Sequence, residues 1–86
     1  MDAQKIESEL LAFLSREVFA PDLVLTAETD LVSVGFDSMS LVRVLVWIET
    51  NYGTWIPESE ITGDTIRNLR TLSVTVARLL HKAHEA

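Results

Sequence analysis

Apolar residues recur at intervals of three and four in several segments of this 86-residue chain, and nowhere do they sustain the alternation of a strand. Such spacing is typical of amphipathic helices, so the sequence predicts an all-α fold. We expect longer helices over about 3–19, 38–52 and 69–82, and a short one beginning at 62 or 63 and ending at 67. The predicted architecture is a small four-helix bundle with a long loop, 20–37, between the first two helices.

Capping and turn residues mark the ends of these helices. Asp2 is placed to cap the first helix, and Pro21 to stop it. Gly53 is expected to end the second helix in a left-handed conformation, and Pro57 forbids its continuation. The expected core side chains share one face of a helix or pin the loop: Ile6, Leu10, Phe13, Leu14 and Val18; Leu23, Leu25, Leu31 and Val34 in the loop; Leu41, Val44, Leu45, Ile48 and Tyr52; Leu72, Val76, Leu79 and Leu80.

Size and composition limit how this fold can be stabilised. The chain has no cysteine, so packed helices rather than disulfides must support one small domain, 1–86. The N-terminus lacks a signal-peptide pattern and no apolar run is long enough to span a bilayer, so we expect a cytoplasmic monomer that does not bind membranes. Seven basic against 13 acidic residues give a formal charge of −6, which disfavours nucleic acid and suits partners with basic docking surfaces.

The segment Gly35-Phe36-Asp37-Ser38-Met39 places one hydroxyl group on the first turn of the second predicted helix. First-turn N–H groups lack intrahelical acceptors, and the positive end of the helix dipole favours an anion. A serine at this position is therefore suited to carrying a phosphodiester. Asp37 is also expected to be the N-cap of the helix.

This segment resembles the attachment motif of acyl and peptidyl carrier proteins, in which Asp-Ser-Leu or Asp-Ser-Met precedes the second helix. Asp30-Leu31, the helix end at 48–53 and Ile56-Pro57 resemble the family at matching spacing. The likeness covers nearly the whole chain.

The resemblance implies a function without catalysis by the chain itself. A phosphopantetheinyl transferase would move 4'-phosphopantetheine from coenzyme A onto Ser38, and the thiol of the arm would then hold acyl or aminoacyl groups as thioesters. Asp37 would help to position the metal-bound pyrophosphate during the transfer. Further partners would be an acyl- or aminoacyl-activating loading enzyme and a downstream synthase or transferase.

Helical angles place Met39, Val42, Arg43, Val46 and Thr50 on the side of the second helix opposite its core face. Three of them are apolar, where a solvated helix is usually polar, so we interpret this face as a docking surface beside the serine. Single exposed apolar residues are also common on ordinary surfaces. A helical interaction module without a cofactor, using the same face as a partner groove, is therefore an alternative function.

The charges of this face differ from those of fatty-acid carriers, which have acidic residues along the second helix. Ser40, Arg43 and Thr50 stand where acids often stand, although Glu49 remains. This difference favours a stand-alone carrier of an amino acid or a small specialised acyl unit, of polyketide or nonribosomal type. A carrier for fatty-acid synthase is the alternative.

Other chemically active residues are interpreted as structural. His81 and His84 are three residues apart, but the sequence offers no cysteine and no obvious third ligand, so we expect no metal site. Trp47 and Trp55 are interpreted as packing residues. A hydrolase with Ser38 as nucleophile is disfavoured, because the Gly-x-Ser-x-Gly elbow and a preceding strand are missing. We therefore expect no catalytic residue.

Overall fold

The computed structural model describes residues 2–20 and 22–85. Its elements are, in chain order, α1 (Ala3–Phe13), a π-helical turn (Leu14–Val18), a 3-10 turn (Val32–Val34), α2 (Ser38–Tyr52), a second 3-10 turn (Glu58–Glu60) and α3 (Leu69–Glu85). The described residues contain no strand, and the all-α class is confirmed. None of the described helices is both long and apolar enough to cross a membrane.

The first helix begins as predicted and ends in a wider turn. The Asp2 carboxylate accepts a hydrogen bond from the Lys5 N–H at 2.8 Å, so Asp2 is the N-cap. After Phe13 the helix widens, because the Phe19 N–H reaches back five residues to the Leu14 carbonyl at 2.9 Å. Phe19 itself is extended. Pro21, the predicted stop, lies outside the described residues.

The short helix predicted over 62–67 is wrong. The Thr62 hydroxyl accepts a hydrogen bond from the Thr65 N–H at 3.2 Å, which caps a single turn. The Arg67 N–H bonds only three residues back, to the Asp64 carbonyl at 3.5 Å, so the four-residue spacing of α-helical bonds is not continued. The Arg67 carbonyl accepts a long-range bond from the Leu31 N–H at 3.0 Å. The segment is therefore a hydrogen-bonded turn, and the described residues form three α-helices rather than four.

α2 has the predicted ends, whereas α3 begins at the predicted Leu69 and continues to Glu85, beyond the predicted end at 82. Gly53 has φ of 70° and donates its N–H to the Glu49 carbonyl, the left-handed stop expected of a glycine. Before α3, the Asn68 side chain accepts from the Thr71 N–H at 2.9 Å while the Thr71 hydroxyl accepts from the Asn68 N–H at 3.3 Å. This reciprocal pair resembles a capping box and satisfies two donors at once.

The core lies where α1 packs on α3, and the buried side chains of α2 belong to the same cluster. Its fully or nearly fully buried apolar side chains are Ile6, Leu10, Phe13, Leu14, Leu31, Phe36, Val44, Leu45, Ile48, Ile56, Leu69, Leu72 and Val76. Leu41, Tyr52, Val18, Leu79 and Leu80 are partly buried against this cluster, as is Leu25 of the loop. Leu23 and Val34 are partly exposed and outside it, so only Leu31 and Leu25 pin the loop as predicted.

The long loop is held against α3 by backbone and side-chain contacts. The Leu31 bond to Arg67 is joined by one from the Arg70 N–H to the Ala27 carbonyl at 3.1 Å. The Arg70 side chain also pairs with Glu28 of the loop at 2.9 Å and with Glu7 of α1 at 3.6 Å. These contacts fix the path of the chain immediately before α2.

Candidate functional site

A sharp turn of the chain presents Ser38 at the start of α2. Gly35 has φ of 99°, a left-handed conformation that glycine adopts without a side-chain clash, and it closes the first 3-10 turn. Phe36 is buried and donates its N–H to the Leu31 carbonyl at 2.9 Å. Because Phe36 is anchored in this way, Ser38 two residues later is held at the surface, where its side chain is exposed.

Asp37 is the N-cap of α2, as predicted. Its Oδ1 atom accepts hydrogen bonds from the Ser40 N–H at 2.9 Å and from the Ser40 hydroxyl at 3.0 Å. These bonds, the one from the backbone N–H foremost, lower the pKa of the Asp37 carboxyl below its ordinary value. A carboxylate that stays ionised therefore lies directly beside the serine.

A surface hollow of about 270 Å³ adjoins Ser38. Its walls are the side chains of Phe36 and Leu41 and, from the turn before α3, Ile66, with Asp37 at one side. Sequence reasoning did not identify Ile66, because only the tertiary fold brings the 62–67 turn to the start of α2. The site thus combines a hydroxyl, a carboxylate and an apolar surface.

The outer face of α2 is exposed along the predicted stripe. The exposed fractions are 68% for Met39, 50% for Val42 and 51% for Val46, and Arg43 is exposed as well. Val44, Leu45 and Ile48 of the opposite face are buried. The predicted rotation of the helix is correct, whereas a docking role for this face stays a prediction.

A second hollow, of about 360 Å³, lies between the end of α1 and the outer face of α2. We call it the α1–α2 hollow, and its lining residues are Phe13, Val42, Arg43, Val46, Trp47 and Thr50. The Trp47 ring stacks on Phe13, with ring centroids 5.1 Å apart, and meets Tyr52 edge-on at 5.4 Å. The packing role predicted for Trp47 is confirmed.

Tyr52 is itself fixed by α1. Its hydroxyl donates to a Glu9 carboxylate oxygen at 2.5 Å. Partial burial, followed by this carboxylate, raises the pKa of the Tyr52 hydroxyl, so the group stays protonated and keeps donating. The two residues are 43 positions apart and no local pattern of the sequence pointed to their contact.

Trp55 and the histidines are the remaining residues that the sequence analysis interpreted as structural. Trp55 is 48% exposed and lies outside the core cluster, so the prediction that it packs like Trp47 is wrong. In the part of the chain that the structure describes, no group of three or more His, Cys, Asp and Glu side chains could hold a metal ion. The His84 side chain is not among the described groups.

An all-helical fold that presents an exposed serine directly after an aspartate cap defines a small carrier protein. Residues 8–73 match the family model described as phosphopantetheine attachment site, and the chain belongs to this family. Phosphopantetheine is therefore its cofactor. The interpretation as a module without a cofactor is not supported by this match.

Two individual proteins resemble the chain over most of its length. Aminoacyl carrier protein 1 of Bradyrhizobium diazoefficiens is 33% identical over 73 residues, which are 85% of this chain and 79% of that protein. The fold is similar to a chain in the crystal structure of the Bradyrhizobium japonicum glycine:[carrier protein] ligase complexed with glycylated carrier protein. That likeness has a TM-score of 0.65 and 27% identity, and covers 85% of this chain and 96% of the other.

The residues around Ser38 fit a phosphopantetheine arm. The exposed hydroxyl can form a phosphodiester, and the first-turn N–H groups favour its negative charge. Phe36, Leu41 and Ile66 offer an apolar surface to the hydrocarbon part of the arm. When attached, the arm supplies a thiol that a chain without cysteine lacks.

Proposed function

We propose that Ser38 carries the phosphopantetheine arm and that the modified protein is an aminoacyl carrier. The observation that carries this proposal is the exposure of the Ser38 hydroxyl on the first turn of α2, directly after the ionised Asp37 cap. A carrier for fatty-acid synthase is the alternative, because the attachment chemistry is the same.

The part played by the chain in its own modification is to present a nucleophile. The Ser38 oxygen forms the new bond to phosphorus, the pyrophosphate bond of coenzyme A breaks, and the nucleotide leaves with the bridging oxygen. The hydroxyl proton passes to a base of the phosphopantetheinyl transferase. The ionised Asp37 lies beside the reacting oxygen, where a carboxylate is suited to bind the divalent cation of the pyrophosphate.

The aminoacyl cargo is supported by the relatives and by the charges of α2. The curated relative is named an aminoacyl carrier protein, and the similar structure is a complex with a glycine ligase. Carriers of the fatty-acid type resemble this chain but have acidic residues along the second helix. At three of those positions this chain has Ser40, Arg43 and Thr50 instead. We infer that an adenylating ligase loads the arm, that a downstream enzyme accepts the amino acid, and that the chain catalyses neither step.

Intact-mass spectrometry tests the attachment site. Incubation with coenzyme A, magnesium and a broad-specificity phosphopantetheinyl transferase should add one phosphopantetheine to the wild-type protein. Ser38→Ala should abolish the gain, whereas Ser40→Ala, which alters a neighbouring serine of the same turn, should retain it. An unchanged wild-type mass, with a known carrier converted in parallel, would refute the proposal.

Thioester formation tests the cargo. The modified protein is offered to the Bradyrhizobium glycine ligase with ATP and glycine and, separately, to the malonyl transacylase of a fatty-acid synthase at the same salt concentration. We expect faster loading by the ligase. Efficient malonyl loading followed by elongation would show a fatty-acid carrier and leave Ser38 as the attachment site.

A further inference from the structure

Among the residues that the structure describes, one arginine on the outer face of α2 has no carboxylate partner. Within residues 2–20 and 22–85, the structure pairs each of the other four arginines with an acid: Arg16 with Glu17, Arg67 with Asp64, Arg70 with Glu7 and Glu28, and Arg78 with Glu60. Arg43 has no ion pair among the described residues, although the chain carries 13 acids and a net charge of −6. An acid from outside the chain would complete this pattern.

Arg43 lines the α1–α2 hollow together with mostly apolar side chains. The apolar surface is formed by Phe13, Val42, Val46 and Trp47, and Thr50 completes the lining. An exposed apolar hollow next to the Arg43 guanidinium, which has no ion pair among the described residues, suits a particular kind of partner surface. That surface has an apolar side chain with a carboxylate beside it.

The walls of the hollow are fixed before any partner arrives. The Trp47 ring contacts the rings of both Phe13 and Tyr52, and Glu9 holds the Tyr52 hydroxyl at 2.5 Å. A ring already packed against two other rings loses little conformational entropy when a partner contacts it. The geometry therefore favours recognition by a rigid surface rather than by induced rearrangement.

We propose that the α1–α2 hollow seats an apolar side chain of the amino-acid-loading enzyme, while a neighbouring carboxylate of that enzyme pairs with Arg43. The proposal rests on the proposed aminoacyl function. Residues at four-residue intervals form one row along α2. This row consists of Ser38, Val42, Val46 and Thr50. Val46 lies about 12 Å along the axis from Ser38, and an enzyme acting on an arm at Ser38 covers this distance with a standard interface.

A second copy of the chain is a poor occupant for this surface. Two molecules of charge −6 repel each other. A two-fold contact would also bring the same patch of each copy together, which places Arg43 near Arg43 instead of near an acid. The loading enzyme, which must approach Ser38, meets neither difficulty.

The test compares loading of fully modified proteins, with the conversion of each variant verified by intact mass. The enzyme is the Bradyrhizobium glycine ligase, supplied with ATP and glycine. Arg43→Glu should lower kcat/KM by about tenfold or more, mainly through KM, because it reverses the charge that faces the ligase. Lys5→Glu makes the same change of charge at the start of α1, and should leave kcat/KM within about twofold.

A second pair of variants tests the apolar part of the hollow. Val46→Trp fills it and should also raise KM, whereas Val74→Trp changes a valine of the same exposure on α3, 52% against 51%, and should not. If the wild type loads and both Arg43→Glu and Val46→Trp load equally well, the hollow is not the docking site and the carrier function stands. A dimer in sedimentation that Val46→Trp dissociates would instead assign the hollow to a second copy.

Binding of 3-phenylpropionate, a ring with a carboxylate, tests the hollow without any enzyme. We expect the compound to shift the indole N–H signal of Trp47 in an NMR spectrum and not that of Trp55, and Arg43→Gln to weaken the effect. The absence of a Trp47 shift, or an equal shift at both tryptophans, would overturn the proposal. Failure of the wild type to gain phosphopantetheine would refute the proposed function itself, so the two failures are distinguishable.

Discussion

The Ser73 side chain is fully buried on the inner face of α3, and no described group hydrogen-bonds its hydroxyl. A buried hydroxyl without a partner loses the hydrogen bonds that it makes to water in the unfolded chain. Ser73→Ala should therefore leave the free energy of unfolding unchanged or raise it by up to about 1 kcal/mol. Urea denaturation measures the difference.

Thr75 provides the matched control for this prediction. It is nearly as buried, but its hydroxyl donates to the Thr71 carbonyl at 3.0 Å, so Thr75→Val should cost about 0.5–1.5 kcal/mol. If Ser73→Ala proves as destabilising as Thr75→Val, the Ser73 hydroxyl has a hydrogen-bond partner in solution.

Single residues were predictable where a local rule decides their role. Asp2 and Asp37 cap helices because the polar acceptor stands just before an apolar periodic segment, and Gly53 ends α2 because the stop requires positive φ. The Glu9–Tyr52 contact and the pairing of Trp47 with Phe13 had no such rule. These contacts depend on how two helices pack together, and the sequence of one helix alone does not predict that packing.

The cap of α2 makes the stability of the helix depend on pH. The folded state lowers the pKa of Asp37 below its ordinary value of 3.8, so the ionised cap contributes stability above that pH. The contribution disappears as the pH falls through the lowered value. Wild-type protein should therefore be more stable than Asp37→Asn above pH 3.8, and the difference should shrink on acidification. Urea denaturation over a pH series measures the free energy of unfolding of both proteins. A difference between them that does not change with pH would contradict the role of Asp37 as an ionised cap.

The docking role of α2 can be tested at its first turn. Met39→Glu should change the free energy of unfolding by no more than about 0.5 kcal/mol, because the side chain is 68% exposed. It should nevertheless slow modification of Ser38 or loading of the arm. Val74→Glu, on α3, should affect neither stability nor transfer. An unfolded Met39→Glu protein would place Met39 in the core, and normal transfer would remove it from the docking surface.

Elements were predicted well where periodicity and caps agree, and poorly where a segment is long enough for only one or two turns. The start and end of α2 match the prediction, since cap, stripe and glycine all point to the same bounds. The turn over 62–67 has a capping threonine and looks helical in sequence. It does not become a helix, because the Arg67 N–H bonds to the Asp64 carbonyl three residues back and the four-residue spacing of α-helical bonds is not continued.

The long loop and the start of α3 form one unit of the whole molecule. The Leu31 and Arg70 N–H groups donate across this junction to the Arg67 and Ala27 carbonyls. We expect both amides to exchange hydrogen at least about tenfold more slowly than the amide of Val24, and at similar rates to each other. Native-state hydrogen exchange by NMR measures all three. Exchange of Leu31 as fast as that of Val24 would show that the loop opens independently.

For the molecule as a whole, the sequence predicted the all-α fold class and the number of long helices. It did not predict how the long loop is attached to the helices. Leu31 was expected to be buried and is, because burial removes its large apolar side chain from water. The backbone bonds that fix it depend on the final positions of two loops. They cannot be inferred from the composition of either.

The fixed position of Trp47 gives the molecule an optical property. The chain has two tryptophans, and Trp55 is 48% exposed, so Trp55→Phe removes its emission with little effect on packing. The remaining indole lies in the wall of the α1–α2 hollow, against Phe13 and Tyr52. A partner that displaces water from this wall shifts the fluorescence to shorter wavelength. Binding of a partner to the carrier can then be followed in real time by the intrinsic fluorescence of Trp47, without an added dye and without altering Ser38.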